Sequence, residues 1–258
     1  MDYEAIKYEV NGPLATIAMN RPDVKNALNT RMRVELQHAV KAAEREARAL
    51  VITGIGDAFC SGQDLSDRGT AASLDIERTL RDEYEPLLLA IYDCAIPTIS
   101  AVNGPAAGAG ANLALAADIV FAKKSAVFLQ AFTRIGLMPD AGGTYWLPKQ
   151  MGFAKAMGAA LFAEPITADQ ASEWGMIWAA VPDAEFQDTV FARATQLANG
   201  PTQAFQRTKQ ALRESYDNTL DKQLALEAHL QGECGRTRDF TEGVMAFLEK
   251  RPAAYEGR

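Results

Sequence analysis

Apolar and polar positions alternate from Ile6 through Val10, break at Asn11-Gly12-Pro13, and resume from Leu14 to Met19, which predicts a β-hairpin. Arg21-Pro22 then takes the chain off the sheet. Met32, Leu36, Val40 and Ala43 recur at helical spacing, with Asn29 or Thr30 as the cap. Ala49 to Thr53 (ALVIT) reads as a short buried strand ending at Gly54. Leu80, Tyr84, Leu87, Leu88 and Ile91 mark a second helix that closes before Pro97. Thr98 to Val102 is a further buried strand, Gly108 to Ala117 a tightly packed helix, and Ile119 to Ala122 another strand. Strands alternating with helices predict an α/β fold in which helices cover a sheet.

The pattern changes after about residue 145. Ala154 to Phe162 is helical, and Thr167-Ala168-Asp169-Gln170 has capping-box spacing before a short helix stopped by Gly175. Helices are expected at 184–199, 202–215, 219–233 and 239–250, with Gly200-Pro201 separating the first two. A mixed body over residues 1–195 and a helical part over 196–258 follow. No repeat, low-complexity tract or flexible linker interrupts them.

Composition narrows the partners. The chain has 258 residues, 48% apolar and 23% charged, with a net charge of −7. That balance opposes a general nucleic-acid surface, which needs a basic excess. Cys60, Cys94 and Cys234 are widely spaced, so neither a disulfide framework nor a zinc knuckle is expected, and a reducing cytoplasm fits. MDYEAIKYEV carries no signal-peptide pattern. The apolar run Ala101 to Ala122 is broken by Asn103, Pro105, Asn112 and Asp118, so it does not read as a membrane span.

Three Gly-rich turns could carry chemistry: GIGDAFCSGQD (54–64), NGPAAGAGAN (103–112) and GLMPDAGGT (136–144). The first two follow strands, where glycines leave N–H groups free to face an anion. In the third, Asp140 is the one charge among thin, turning residues. It reads either as a cap on the following helix or as a base aimed into a pocket. A dinucleotide fingerprint fails, because position 113 is Leu and no acid follows about twenty residues on. Cys60 or Ser61 as nucleophile would need a base, and the two histidines, His38 and His229, sit at surface helix positions. They also make a catalytic metal unexpected. Asp64 reads as a brace for its loop, Asp118 as structural, and Glu164 as a weak candidate for a pocket wall.

AFCSGQDL (58–65) and AVNGPAAGAGANL (101–113) resemble the two oxyanion motifs of the enoyl-CoA hydratase/isomerase, or crotonase, superfamily. Asn20-Arg21-Pro22 and Asn26-Ala27-Leu28 resemble its early CoA-binding segment, and FLEKR (247–251) its C-terminal signature. The motifs are collinear from about Ile6 to Arg251. FCSGQDLSDR, GLMPDAGGT and SEWGMIW are most similar to the branch of ring-1,2-epoxyphenylacetyl-CoA isomerases of phenylacetate breakdown.

The resemblance implies a ββα spiral core with a C-terminal helical oligomerisation region, forming a trimer or a dimer of trimers. It implies an acyl-CoA substrate and no cofactor beyond the CoA carried by that substrate. It places oxyanion donors on the main-chain N–H groups of Gln63 and Ala109, whose side chains are then free to vary. It puts Lys25, Ala27, Ser61, Asp64, Gly110 and Lys250 among the substrate- and CoA-binding positions, with Arg21 a further candidate for CoA phosphate. The two glutamates with which relatives split water fall on Asn112 and Phe132, neither of which is a base. Asp140 stands where isomerase and dehalogenase relatives carry one acid. An isomerase with Asp140 as its base is therefore expected ahead of a hydratase, a dehalogenase (no histidine matches that branch) or a non-catalytic RNA-binding relative.

Overall fold

The structure is a computed structural model and describes residues 2–67 and 75–258. β1 (Ile6–Asn11) and β2 (Leu14–Met19) form the expected hairpin around Gly12, whose φ of 58° suits the tight turn. β3 (Ala49–Gly54), β4 (Thr98–Val102), β6 (Ile119–Lys123) and β9 (Ala179–Val181) continue it as a parallel sheet in the order β1-β2-β3-β4-β6-β9. A second sheet of very short strands stacks β5 (Ala106–Ala107), β7 (Val127–Leu129) and β8 (Ile166–Thr167).

The pleat divides the core. Leu50 and Ile52 of β3 pack on one face with Met32, Leu36 and Val40 of α1 (Thr30–Glu46). Ala49 and Val51 pack on the other face with Phe186, Val190 and Ala194 of α8 (Phe186–Ala198). Successive side chains of a strand point to opposite faces, so one strand serves both layers. Asn29 caps α1, its side chain accepting the Met32 N–H.

α2 (Ile76–Thr79) runs through a π-helical turn (Leu80–Tyr84) into α3 (Glu85–Tyr92). Pro86 lies in the first turn of α3 and has no N–H to donate to the Asp82 carbonyl, which locally breaks the α-helical ladder. α4 (Ala109–Leu115) is buried along its whole length. α5 (Gly143–Met151) was hidden from sequence periodicity by Pro148 within it. α6 (Phe153–Phe162) and α7 (Ala168–Glu173) follow, and α7 carries the complete Thr167/Gln170 capping box.

The chain ends in α9 (Thr202–Glu214), α10 (Leu220–Cys234) and α11 (Arg238–Glu249). Asp118 ties α9 to the sheet. Its carboxylate accepts the Thr98 N–H and pairs with Lys209 and Arg213, both at 2.7 Å, which supports its structural reading. Leu220, Phe240, Phe247 and Leu248 stay exposed on the last two helices. Among the described residues, no helix is long and apolar enough to cross a membrane. The mixed α/β body with helices at its C-terminal end, expected from the sequence, is the architecture observed.

Candidate active site

The first Gly-rich loop is zipped to its neighbours by main-chain bonds. Leu28 N–H donates to Gly62 O at 2.7 Å and Asp64 N–H to Leu28 O at 3.1 Å, a parallel bridge centred on Gln63. In such a bridge the flanking residues spend their polar groups on the partner, so the N–H of Gln63 itself faces the other way. Ser61 N–H donates to Lys25 O at 2.9 Å, and Ala107 N–H to Cys60 O at 2.9 Å. Gly62 holds a φ of 95°, and a Cβ there would lie 2.8 Å from Ala107 O and 3.5 Å from Ala109 N. The peptide carrying the Gln63 N–H therefore adjoins the start of α4.

Gly108 (φ 53°) opens α4 and leaves Ala109 as its first residue, whose N–H has no partner within the helix. Neither the Gln63 N–H nor the Ala109 N–H meets an acceptor among the described residues. Both line a cavity of about 340 Å³ together with Ser61, Tyr84, Phe132 and Asp140. A larger space of about 840 Å³ adjoins it, walled by Leu88, Tyr92, Met138 and Trp146. Leu80, Tyr84 and Asp140 line both spaces. Asp140 thus stands where the cavity that holds the two donor residues meets the larger chamber, both of them walled mainly by apolar groups.

Asp140 does not cap α5. The N-cap is Gly142, and no side chain bonds the first turn. Its Oδ1 is buried with no partner among the described residues. Burial pushes the carboxyl up from the ordinary 3.8 to about 6. The turn is held from behind: Asn112 Nδ2 donates to Asp140 O at 2.7 Å and Gly143 N–H to the same oxygen at 2.8 Å. Ala141 (φ 48°) and Gly142 (φ 82°) carry the left-handed conformations that this sharp turn demands.

Asn112 is fully buried, and its Oδ1 accepts from Gln130 Nε2 at 2.9 Å. Phe132 puts an apolar ring on the cavity wall. Asp140 is the only carboxylate lining the smaller cavity among the described residues. One acid, two amide donors and an apolar chamber suit proton transfer beside a carbonyl that is gaining negative charge.

The other sequence candidates divide. Lys25 is exposed beside the donor loop, anchored through its carbonyl but not lining the cavity. Ala27 is buried and gives its carbonyl to Arg21 Nη1 at 2.6 Å, so Arg21 is occupied within the loop. Asp64 braces the loop as expected: burial pushes its carboxyl up, but bonds from Ser66 and Arg21 outweigh this and lower it. Gly110 lies behind the cavity, where a Cβ would strike Cys60 O at 2.4 Å. Lys250 caps α11 in the left-handed conformation and does not line the cavity. The Cys60 thiol is buried and pushed up to about 12, which leaves no ready thiolate. His38 bonds Tyr3 and His229 faces Glu233, so neither reaches the cavity.

Sequence reasoning missed the contacts that hold these parts. Gln130 gave no local signal for its bond to Asn112. Arg33, buried on the flank of the α1 stripe, could have been noticed as a charge beside Met32 and Leu36. The Gln63 side chain, expected to be free to vary because the main chain supplies the donor, is engaged in the structure: its amide bonds Arg33, Tyr84 and the Asp64 carbonyl.

Comparison with known proteins shows the family. The family model for enoyl-CoA hydratase/isomerase matches residues 9–258. A protein of Rhodobacter capsulatus named "probable enoyl-CoA hydratase" is 60% identical over 100% of both chains. The 1,2-epoxyphenylacetyl-CoA isomerase of Escherichia coli is 44% identical over 99% of both. A crystal structure of an enoyl-CoA hydratase/isomerase-family protein from Mycobacterium abscessus superposes with a TM-score of 0.93 at 37% identity, covering 98% of this chain and 100% of that one. The chain belongs to the enoyl-CoA hydratase/isomerase family of the crotonase superfamily.

Proposed function

We propose that the protein is an acyl-CoA isomerase that shifts a double bond, or opens a ring epoxide, next to a CoA thioester. The observation that carries this is the solitary carboxylate: among the described residues Asp140 alone lines the cleft shared by Gln63 and Ala109. Asn112 and Phe132, to which the resemblance assigns the water-splitting positions, offer no base. For a double-bond shift, the thioester oxygen sits between the two N–H groups. Ionised Asp140 removes a proton from carbon, the electrons flow into a dienolate held by those donors, and Asp140 returns the proton two carbons away. Each such donor is worth about 2.7–4 kcal/mol in measured cases, and a positioned base typically ~10²–10⁴ in rate. A carboxyl at about 6 is ionised at neutral pH yet basic enough to take a carbon proton from an activated thioester.

Lys25, beside the donor loop, is the nearer candidate for a CoA phosphate, and Ala27, Ser61, Asp64 and Gly110 shape that loop. Lys250 would serve from a neighbouring subunit. The exposed apolar residues of α10 and α11 support association through residues 196–258 on a 1–195 body, with α8 spanning the boundary; the trimer or dimer of trimers is what the resemblance implies. Three unpaired cysteines suit the cytoplasm. The acidic charge disfavours an RNA-binding role.

A hydratase is the second reading, favoured by the name of the 60%-identical relative. Two absorbance assays separate them. Formation of conjugated enoyl from 3-hexenoyl-CoA with no hydration of crotonyl-CoA supports the isomerase; the reverse result rejects it.

A further inference from the structure

The Gln63 amide is the donor on which the proposed reaction leans, and its peptide follows a glycine. Glycine at position 62 leaves the rotation of the following peptide plane loosely restrained, so its neighbours must fix the direction of the Gln63 N–H. One end is held by the Leu28 N–H on Gly62 O. The other end is held by the Asp64 N–H on Leu28 O and, in addition, through the Gln63 side chain. Its Oε1 accepts from Tyr84 OH at 2.6 Å and from Arg33 Nη1 at 2.9 Å, while its Nε2 donates to Asp64 O at 3.0 Å. Arg33 is in turn fixed by Glu83 at 2.6 Å and by Leu28 O, and its guanidinium lies 4.9 Å from the centre of the Tyr84 ring. Arg33 and Tyr84 are 1% and 3% exposed, so solvent does not compete for these bonds.

Tyr84 has a second role in space. Its ring lines both the donor cleft and the larger apolar chamber, at the end of the π-helical turn. We propose that Tyr84 is a positioning residue that, with Arg33, clamps the Gln63 side chain and so aims the Gln63 main-chain N–H at the thioester oxygen. The inference rests on the acyl-CoA reading above but not on the identity of the base. The group that walls the acyl chamber is then also the group that aims the oxyanion donor. An acyl group seated against Tyr84 presses on the clamp rather than on a passive wall.

The test uses the full-length protein and butyryl-CoA carrying ¹³C at the thioester carbonyl. Infrared difference spectra of the bound probe read how strongly the donors polarise that carbonyl. Tyr84→Phe keeps the ring and removes only the hydroxyl, leaving Gln63 Oε1 its bond from Arg33. Gln63→Leu removes the clamp's other half while keeping the main-chain N–H. Because a small misalignment of a preorganised donor is costly, both variants should bind the probe within about threefold of wild type, show a reduced shift of the carbonyl band to low frequency, and lose roughly tenfold in kcat on 3-hexenoyl-CoA at unchanged KM. The double variant should be no worse than the poorer single one, since both act through one amide. A wild-type band shift and kcat in Tyr84→Phe overturn the proposal. So does a change in KM alone, which would make Tyr84 merely a wall. If wild type shows no bound carbonyl band at all, the acyl-CoA reading itself fails and the clamp with it.

Discussion

Asn112 Nδ2 lies 2.7 Å from the main-chain oxygen of Asp140, and through that bond a residue of buried α4 holds the turn that presents the proposed base. Asn112 can do this because an amide donates on one side and accepts on the other; Gln130 fills the acceptor side. Asn112→Asp keeps the shape, but once ionised it cannot donate to Asp140 O and sets a second negative charge beside the turn. A like charge raises a neighbour's pKa, so the acid limb of the pH–rate profile should move to higher pH and the neutral-pH rate should fall by about tenfold or more. An unshifted profile at full rate would show that this bond does not govern the base.

Gly143 adjoins the same bond. A Cβ at this position would fall 2.4 Å from Asn112 Nδ2, and Asn112 is held on both sides. Gly143→Ala should therefore cost about 1–3 kcal/mol in stability by overpacking and, through displacement of Asp140, on the order of 10² in rate. Urea unfolding and initial rates read the two effects separately.

The pH dependence has a definite sign. Catalysis needs Asp140 ionised, so kcat/KM should rise from acid pH with an inflection near 6. An ordinary exposed aspartate would place that inflection near 3.9. A pH–rate profile with the limb below 5 would contradict the buried, unpartnered carboxyl described here.

The same burial has a stability consequence. A carboxyl at 3.8 in the unfolded chain and about 6 in the folded one binds its proton more tightly when folded. Its contribution to stability is therefore complete below about pH 4 and is lost as pH rises through about 6. Asp140→Asn escapes that loss. After allowance for partial solvent screening, it should be more stable than wild type by ~1–2 kcal/mol at neutral pH, and the difference should vanish below about pH 4. Thermal melts of both proteins across this range test it.

Much of this was legible in the chain because it is local. The Asn29 cap, the Thr167/Gln170 capping box and the β3 and β4 strands follow from neighbouring residues, and the structure contains each of them. The family motifs drew attention to both donor loops and to Asp140, which the fold brings to one cavity. What escaped was short or distant. β5 and β8 are two residues each, too brief for a periodicity to register. Pro148 masked α5, and Pro86 in the first turn of α3 gave no hint of the π-helical turn before it. The Arg33–Gln63–Tyr84 and Gln130–Asn112–Asp140 contacts join residues 18 to 30 positions apart, and no spacing rule links their side chains.

Deuterium incorporation in D₂O tests most directly whether Asp140 is the proton carrier. With 3-hexenoyl-CoA, wild type should form the conjugated enoyl thioester, with solvent label in the acyl chain to the extent that the proton held on Asp140 exchanges before it is returned. Asp140→Asn should bind the same thioester with comparable affinity, since both amide donors remain, while isomerisation and label uptake fall by about 10²–10⁴. Isomerisation at the wild-type rate in that variant would contradict the assignment of the base and the mechanism built on it.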